Sequence, residues 1–172
     1  MTSSAATEYL QEVEGRNNIL LAFEKVLRPA TGYPVPAETG EKEQTLNISV
    51  IFTSVETTLA ALKQAGALAS RLEARITLLV PQVVPFPLPL ESPPVLLDWN
   101  ERRFHVIANQ SPVETRVRIY LCRDRLETLG SILTPGSIVV LGTHKRWWPT
   151  PDLRMARKLR KWGHEVIVTK TE

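Results

Sequence analysis

Apolar positions along the chain fall into two patterns: short continuous runs rich in β-branched residues, and longer stretches with a helical period. Leu46–Thr53 (LNISVIFT), Arg75–Val80 (RITLLV), Ser137–Gly142 (SIVVLG) and Glu165–Thr169 (EVIVT) read as buried strands. Thr115–Leu121 (TRVRIYL) alternates polar and apolar residues, as a strand nearer a sheet edge does. Between these runs, Glu56–Ala74 is alanine-rich and carries Leu59, Leu62, Gly66, Ala69 and Leu72 on one helical stripe. Val95–Asn109, with Leu96, Trp99, Phe104 and Ile107, predicts a second helix, Asp124–Leu133 a short third and Pro151–Trp162 the last. Pro81–Pro94 reads as an extended proline-rich loop. Strands alternating with helices predict an α/β fold: a doubly wound, five-stranded parallel sheet with helices on both faces, Rossmann-like. Ligands in such sheets bind beyond the carboxyl ends of the strands, which directs attention to Thr53, Val80 and Gly142.

Residues 1–45 stand apart from this alternation and are expected to form an arm, with 46–172 the α/β domain. Met1–Thr7 reads as disordered. Within Asn18–Leu27, Ile19, Leu20, Phe23, Val26 and Leu27 share one helical face, Asn17 or Asn18 can cap the start, and Pro29 follows the end. The expectation is a short amphipathic helix whose apolar face docks either on its own domain or on a partner. Pro29–Gln44 is rich in Pro, Gly, Thr and Glu and reads as a linker.

Composition narrows the classes of function. The chain has 172 residues, of which 43% are hydrophobic and 23% charged, ordinary values for a globular protein. A single cysteine, Cys122, rules out an internal disulfide and fits a reducing compartment. The amino terminus is polar and acidic, without a signal-peptide pattern, and prolines interrupt the most apolar stretch, Ile76–Leu90. The expectation is a cytoplasmic protein with no membrane segment. A net charge of +3 is too mild for a dedicated nucleic-acid binder, so nucleic acid is not the expected partner.

The charge is concentrated, however. Lys145 to Lys161 holds seven basic residues and one acid, Asp152. In the last helix Thr150 suits the N-cap, Pro151 the first turn and Asp152 the positive end of the helix dipole. Met155, Ala156, Leu159 and Trp162 share the face expected to pack on the sheet. Arg154, Arg157, Lys158 and Lys161 then form an outward cationic face, with Arg160 at its flank: either a solvated surface or a site for an anionic partner. Trp147 and Trp148, beside Lys145 and Arg146, are of the kind that stacks on bases. His105, His144 and His164 are dispersed and share no metal-ligand spacing with Cys122, so no metal site is expected. The Arg123 guanidinium beside Cys122 could activate the thiol, but a plain strand-end cysteine is the simpler reading. No catalytic triad or carboxylate pair assembles at the predicted strand ends, and no enzyme is expected.

Two stretches resemble the universal stress protein family. ISVIFTSVETTLAALKQAGALASRLEARITLLV is similar to that family's opening strand, serine-containing turn, alanine-rich helix and "ARLTLLHV" strand. SIVVLGTHKRWW is similar to its "DLIVMGTHGRSG". The resemblance spans Leu46 to Thr169. ATP-binding members carry a Gly-x2-Gly-x9-Gly-Ser/Thr loop, where glycines let backbone N–H groups reach the phosphates. Here Gly142 matches the first glycine, Lys145 and Met155 stand at the others, and Ala156 replaces the hydroxyl residue. The family's nucleotide-contacting aspartate aligns with Thr53, and its following Gly-Ser with Ser54-Val55. The resemblance therefore implies a nucleotide-pocket position at Thr53, Ser54, Val80, Gly142, Thr143, His144, Lys145 and Arg146, without the ATP loop. No cofactor is expected, although an adenine nucleotide held by Lys145 and Arg146 stays open. It also implies a homodimer through Glu165–Thr169, and a stress-response or regulatory role exercised by binding or assembly. The cationic last helix leaves a nucleic-acid-binding module as a further alternative.

Overall fold

The computed structural model describes residues 22–27, 46–90, 97–145 and 150–171. Strands β1 (Ala22–Leu27), β2 (Asn47–Ile51), β3 (Arg75–Val83), β4 (Thr115–Cys122), β5 (Ile138–His144) and β6 (Glu165–Thr171) form one sheet. Helices α1 (Val55–Leu72), α2 (Leu97–Ala108), α3 (Arg125–Ile132) and α4 (Pro151–Lys161) connect them. The sheet order is β1-β4-β3-β2-β5-β6, and β2 to β6 are all parallel. This is the expected doubly wound five-stranded core, and β1 adds an antiparallel sixth strand along β4.

That sixth strand corrects the amphipathic helix expected at Asn18–Leu27. Residues 22–27 are extended, Ala22 opposite Cys122 and Leu27 opposite Val117; 18–21 and the linker at Pro29–Gln44 lie outside the described residues. A helix this short is marginal in water. The open edge of β4 instead offers a ladder to the backbone of all six residues, and that decides the conformation. The alternation in β4 thus marks a strand next to the edge rather than the edge itself.

The proline-rich loop also starts later than expected. β3 runs through Pro81 to Val83. The Leu79 carbonyl faces β2 and accepts from Phe52 N–H at 2.9 Å. Pro81, two residues on, faces the same side, where β2 has already ended, so its missing N–H costs no ladder bond.

Each sheet face has its own core. Leu62, Ala65 and Ala69 of α1 with Phe104 and Ile107 of α2 cover Ile48, Val50, Ile76, Leu78, Val117 and Val140. Leu129 of α3 with Met155, Ala156 and Leu159 of α4 covers Ile51, Leu79, Tyr120, Val139 and Leu141. Helix α1 starts at a capping box in which Ser54 and Thr57 each bond the other's backbone N–H. No helix among the described residues is long and apolar enough to cross a membrane.

Candidate functional site

The first strand–helix junction is closed upon itself. Thr53 Oγ1 donates to the Gly142 carbonyl at 3.0 Å and lies 2.8 Å from Thr57 Oγ1. Ser54 Oγ is 2.6 Å from Thr57 Oγ1. These hydroxyls tie β2, β5 and the first turn of α1 together, so Thr53 and Ser54 are spent on structure. A Cβ on Gly142 would collide with the Thr57 carbonyl, and the glycine is required there because the helix start lies directly on β5. Val80 does not reach a ligand-binding position either: it is buried in the α1-side core, because β3 continues to Val83.

The next junction holds Thr143 and His144. Thr143 is fully buried, and its Oγ1 lies 2.9 Å from Thr150 Oγ1, the N-cap of α4, which accepts from Leu153 N–H. His144 Nδ1 lies 3.3 Å from Thr171 Oγ1, so the ring rests against the end of β6. Lys145 is exposed and its N–H donates to the Thr171 carbonyl at 2.9 Å. Arg146, Trp147 and Trp148 lie outside the described residues.

The cleft at this end of the sheet is built from other residues. It encloses about 400 Å³ between the amino-terminal ends of α3 and α4, beside the end of β3. Arg123, Arg125, Arg154 and Lys158 line it together with Asp124 and Asp152, over an apolar floor that includes Val83, Leu126 and Met155. Four cationic side chains against two acids make it electropositive, and both helix N-termini add to that field. Asp124 is already engaged, since its carboxylate caps α3 by accepting from Leu126 and Glu127 N–H at 2.8 Å. Arg125 donates from Nη2 to the Phe52 carbonyl at 2.7 Å, while its buried Nε has no hydrogen-bond partner. Burial pushes the Asp152 carboxyl above its ordinary pKa, and the charges of Arg125 and His144 partly oppose that.

The expected cationic face of the last helix therefore divides. All four are exposed, but Arg154 and Lys158 line the cleft, the Lys158 ammonium 5.8 Å from the Trp162 ring centroid, whereas Arg157 and Lys161 lie outside it. Arg160 reaches the sheet edge and donates to the Val166 carbonyl from Nη2 at 2.7 Å. Arg123 and Arg125 were not foreseen as site residues. Their signal was the run Arg-Asp-Arg directly after a strand, with the aspartate free to cap the following helix and both arginines thrown to the carboxyl end of the sheet.

Arg123 also shapes the rim. Its guanidinium donates to the Val84 and Leu88 carbonyls at 2.7 Å and stacks 4.2 Å from the Phe86 ring, holding the loop that contains the cis Phe86–Pro87 bond. With Arg123 occupied in this way, Cys122 is no activated nucleophile: the thiol is completely buried, and burial raises its pKa more than Thr128 and Arg125 lower it. Among the described residues no group of three His, Cys, Asp or Glu side chains is placed to hold a metal ion. No protein-family model matches the chain, and no curated protein shows a significant match to it.

Proposed function

We propose that the chain is a universal stress protein-like domain that acts by binding and assembly rather than catalysis, and that the cleft between α3 and α4 takes an anionic ligand. The observation carrying this reading is the convergence of Arg125, Arg154 and Lys158 on one cleft at the carboxyl end of the sheet. These side chains stand in for a glycine loop: cations, not backbone amides, meet the negative charge. Lys145 is exposed and does not line the cleft, so it is not part of this set. With the hydroxyls of Thr53 and Ser54 tied internally, an ATP mode through those positions is disfavoured, and a smaller phosphate or carboxylate group suits the 400 Å³ space.

Calorimetric titration of the full chain with inorganic phosphate, AMP and magnesium-ATP tests the reading. An Arg154→Ala/Lys158→Ala variant, altered only at exposed positions, should bind phosphate at least about tenfold more weakly, since each lost charge-assisted hydrogen bond is worth about 1.5 kcal/mol. Equal affinity in the variant and the parent refutes the site. The nucleic-acid alternative draws on the exposed Arg154, Arg157, Lys158 and Lys161 together, and a steep fall of affinity with added salt would mark it.

Assembly is the second reading, favoured by β6. Glu165 N–H and the Thr171 carbonyl turn toward the β5 side, so Val166, Val168 and Lys170 turn their backbone groups outward. Of these, the Val166 carbonyl is covered by Arg160. Pairing of two copies along Val168–Lys170 would satisfy the rest. Light scattering that reports a monomer at high concentration excludes it.

A further inference from the structure

A groove at the opposite end of the sheet has a composition that a parallel sheet buried on both faces does not need. On the α1 side the central positions of β2, β3 and β4 are apolar: Ile48, Val50, Ile76, Leu78, Val117 and Ile119. On the other side their amino-terminal halves carry Asn47, Ser49, Thr77, Arg116 and Arg118. Helix α3 has eight residues, about 12 Å, against roughly 30 Å for the nine residues of β3. It therefore covers the carboxyl half of this face and leaves a groove of about 1370 Å³ over the rest.

The groove has an ordered polar floor. Ser49, Thr77 and Arg116 stand level on three adjacent strands, as do Asn47 and Arg75 on two. Thr77 Oγ1 donates to Asn47 Oδ1 at 2.9 Å, and Ser49 and Thr77 are only 5% and 9% exposed, deep between the walls. Arg75 and Arg116 are exposed at the rim, and Arg118 lies between floor and rim. Glu114 is the one acidic residue among the described lining residues.

We propose that this groove binds an extended acidic peptide segment of a partner protein. Among the described lining residues the exposed Arg75 and Arg116, with Arg118 between floor and rim, outnumber one acid, and the guanidinium forks of the two rim arginines suit carboxylates. The volume exceeds the roughly 300–1,000 Å³ of small-molecule pockets and suits a chain laid across three strands. Among the described lining residues Tyr120 is the only ring and is 4% exposed, which favours peptide over single-stranded nucleic acid. The groove shares no lining residue with the α3–α4 cleft, and the two sites stand or fall separately.

Fluorescence anisotropy of a labelled deca-glutamate peptide against the full chain tests this. Binding is expected to weaken about tenfold or more in an Arg75→Ala/Arg116→Ala variant and to fall with added salt. It should be unchanged in Arg154→Ala/Lys158→Ala. The arginines replaced in the groove are exposed, so the variant should melt as the parent does. Equal peptide affinity in the groove variant, loss of binding in the cleft variant, or tighter binding of a dT10 oligonucleotide at the same arginines overturns the proposal. So does a parent that binds no peptide while a Glu38→Gln/Glu41→Gln/Glu43→Gln variant does, which would assign the groove to the chain's own acids.

Discussion

Replacing Gly142 by alanine separates a packing glycine from a ligand-binding one. The new methyl would meet the Thr57 carbonyl, a backbone atom in the first turn of α1 that cannot rotate away. Forcing one carbon into such a contact costs about 1–3 kcal/mol. Any retreat of the helix start also lengthens the 3.0 Å bond from Thr53 Oγ1 to the Gly142 carbonyl, worth about 1 kcal/mol. The reduced freedom of the unfolded chain returns about 0.4–1 kcal/mol. The net expectation is a destabilisation of roughly 1–3 kcal/mol, or a Tm lower by about 3–10 °C for a chain of this size. Urea unfolding followed by circular dichroism measures the first quantity and a thermal melt the second, while phosphate titration of the folded variant should change little. A Gly142→Ala protein as stable as the parent, yet unable to bind phosphate, would refute the packing argument and return Gly142 to the ligand.

Three further outcomes follow from the half-buried Asp152 and the buried Cys122. The folded-state pKa of Asp152 is raised, so its ionised form destabilises the native state. That penalty is absent below the ordinary aspartate pKa and complete above the folded value; Asp152→Asn should therefore gain stability at neutral pH and lose the gain in acid. The same change leaves the cleft with one acid fewer, and sulfate, which does not titrate in this range, should bind Asp152→Asn more tightly at pH 7; weaker binding would contradict the assignment. Cys122, fully buried with a raised pKa, should resist iodoacetamide in the native state and react only on unfolding. Stoichiometric native labelling, read by mass spectrometry, would show the strand end to be open.

The five parallel strands were legible because their apolar runs are continuous and the intervening stripes keep a helical period. What escaped was set by partners distant along the chain. Residues 22–27 keep a helical period and no strict alternation, and the β4 edge that selects the strand lies about a hundred residues away. Pro81 reads as a terminator unless one knows that β2 stops opposite Leu79. The cleft draws on residues from 123–126 and 151–158, two junctions that meet only when α3 and α4 pack side by side on the sheet. Polar alternation in β4 was visible, but its cause, an eight-residue helix too short to roof the sheet, needs the third dimension.

The two borders of the sheet are finished differently, and this limits the geometry of any larger structure. β1 lies antiparallel on β4 and is itself the outermost strand of that border, while β6 keeps outward backbone groups with a single arginine across one carbonyl. Two open borders would let molecules stack edge to edge without end, as fibres do. Pairing of β6 with β6 of a second copy closes on itself as a two-fold pair, whereas pairing of β6 with the β1 border of another copy would repeat without end. Proteolytic loss of 22–27 would move the second border back to β4 and leave β6 untouched, so a discrete two-fold pair should outlast the cut.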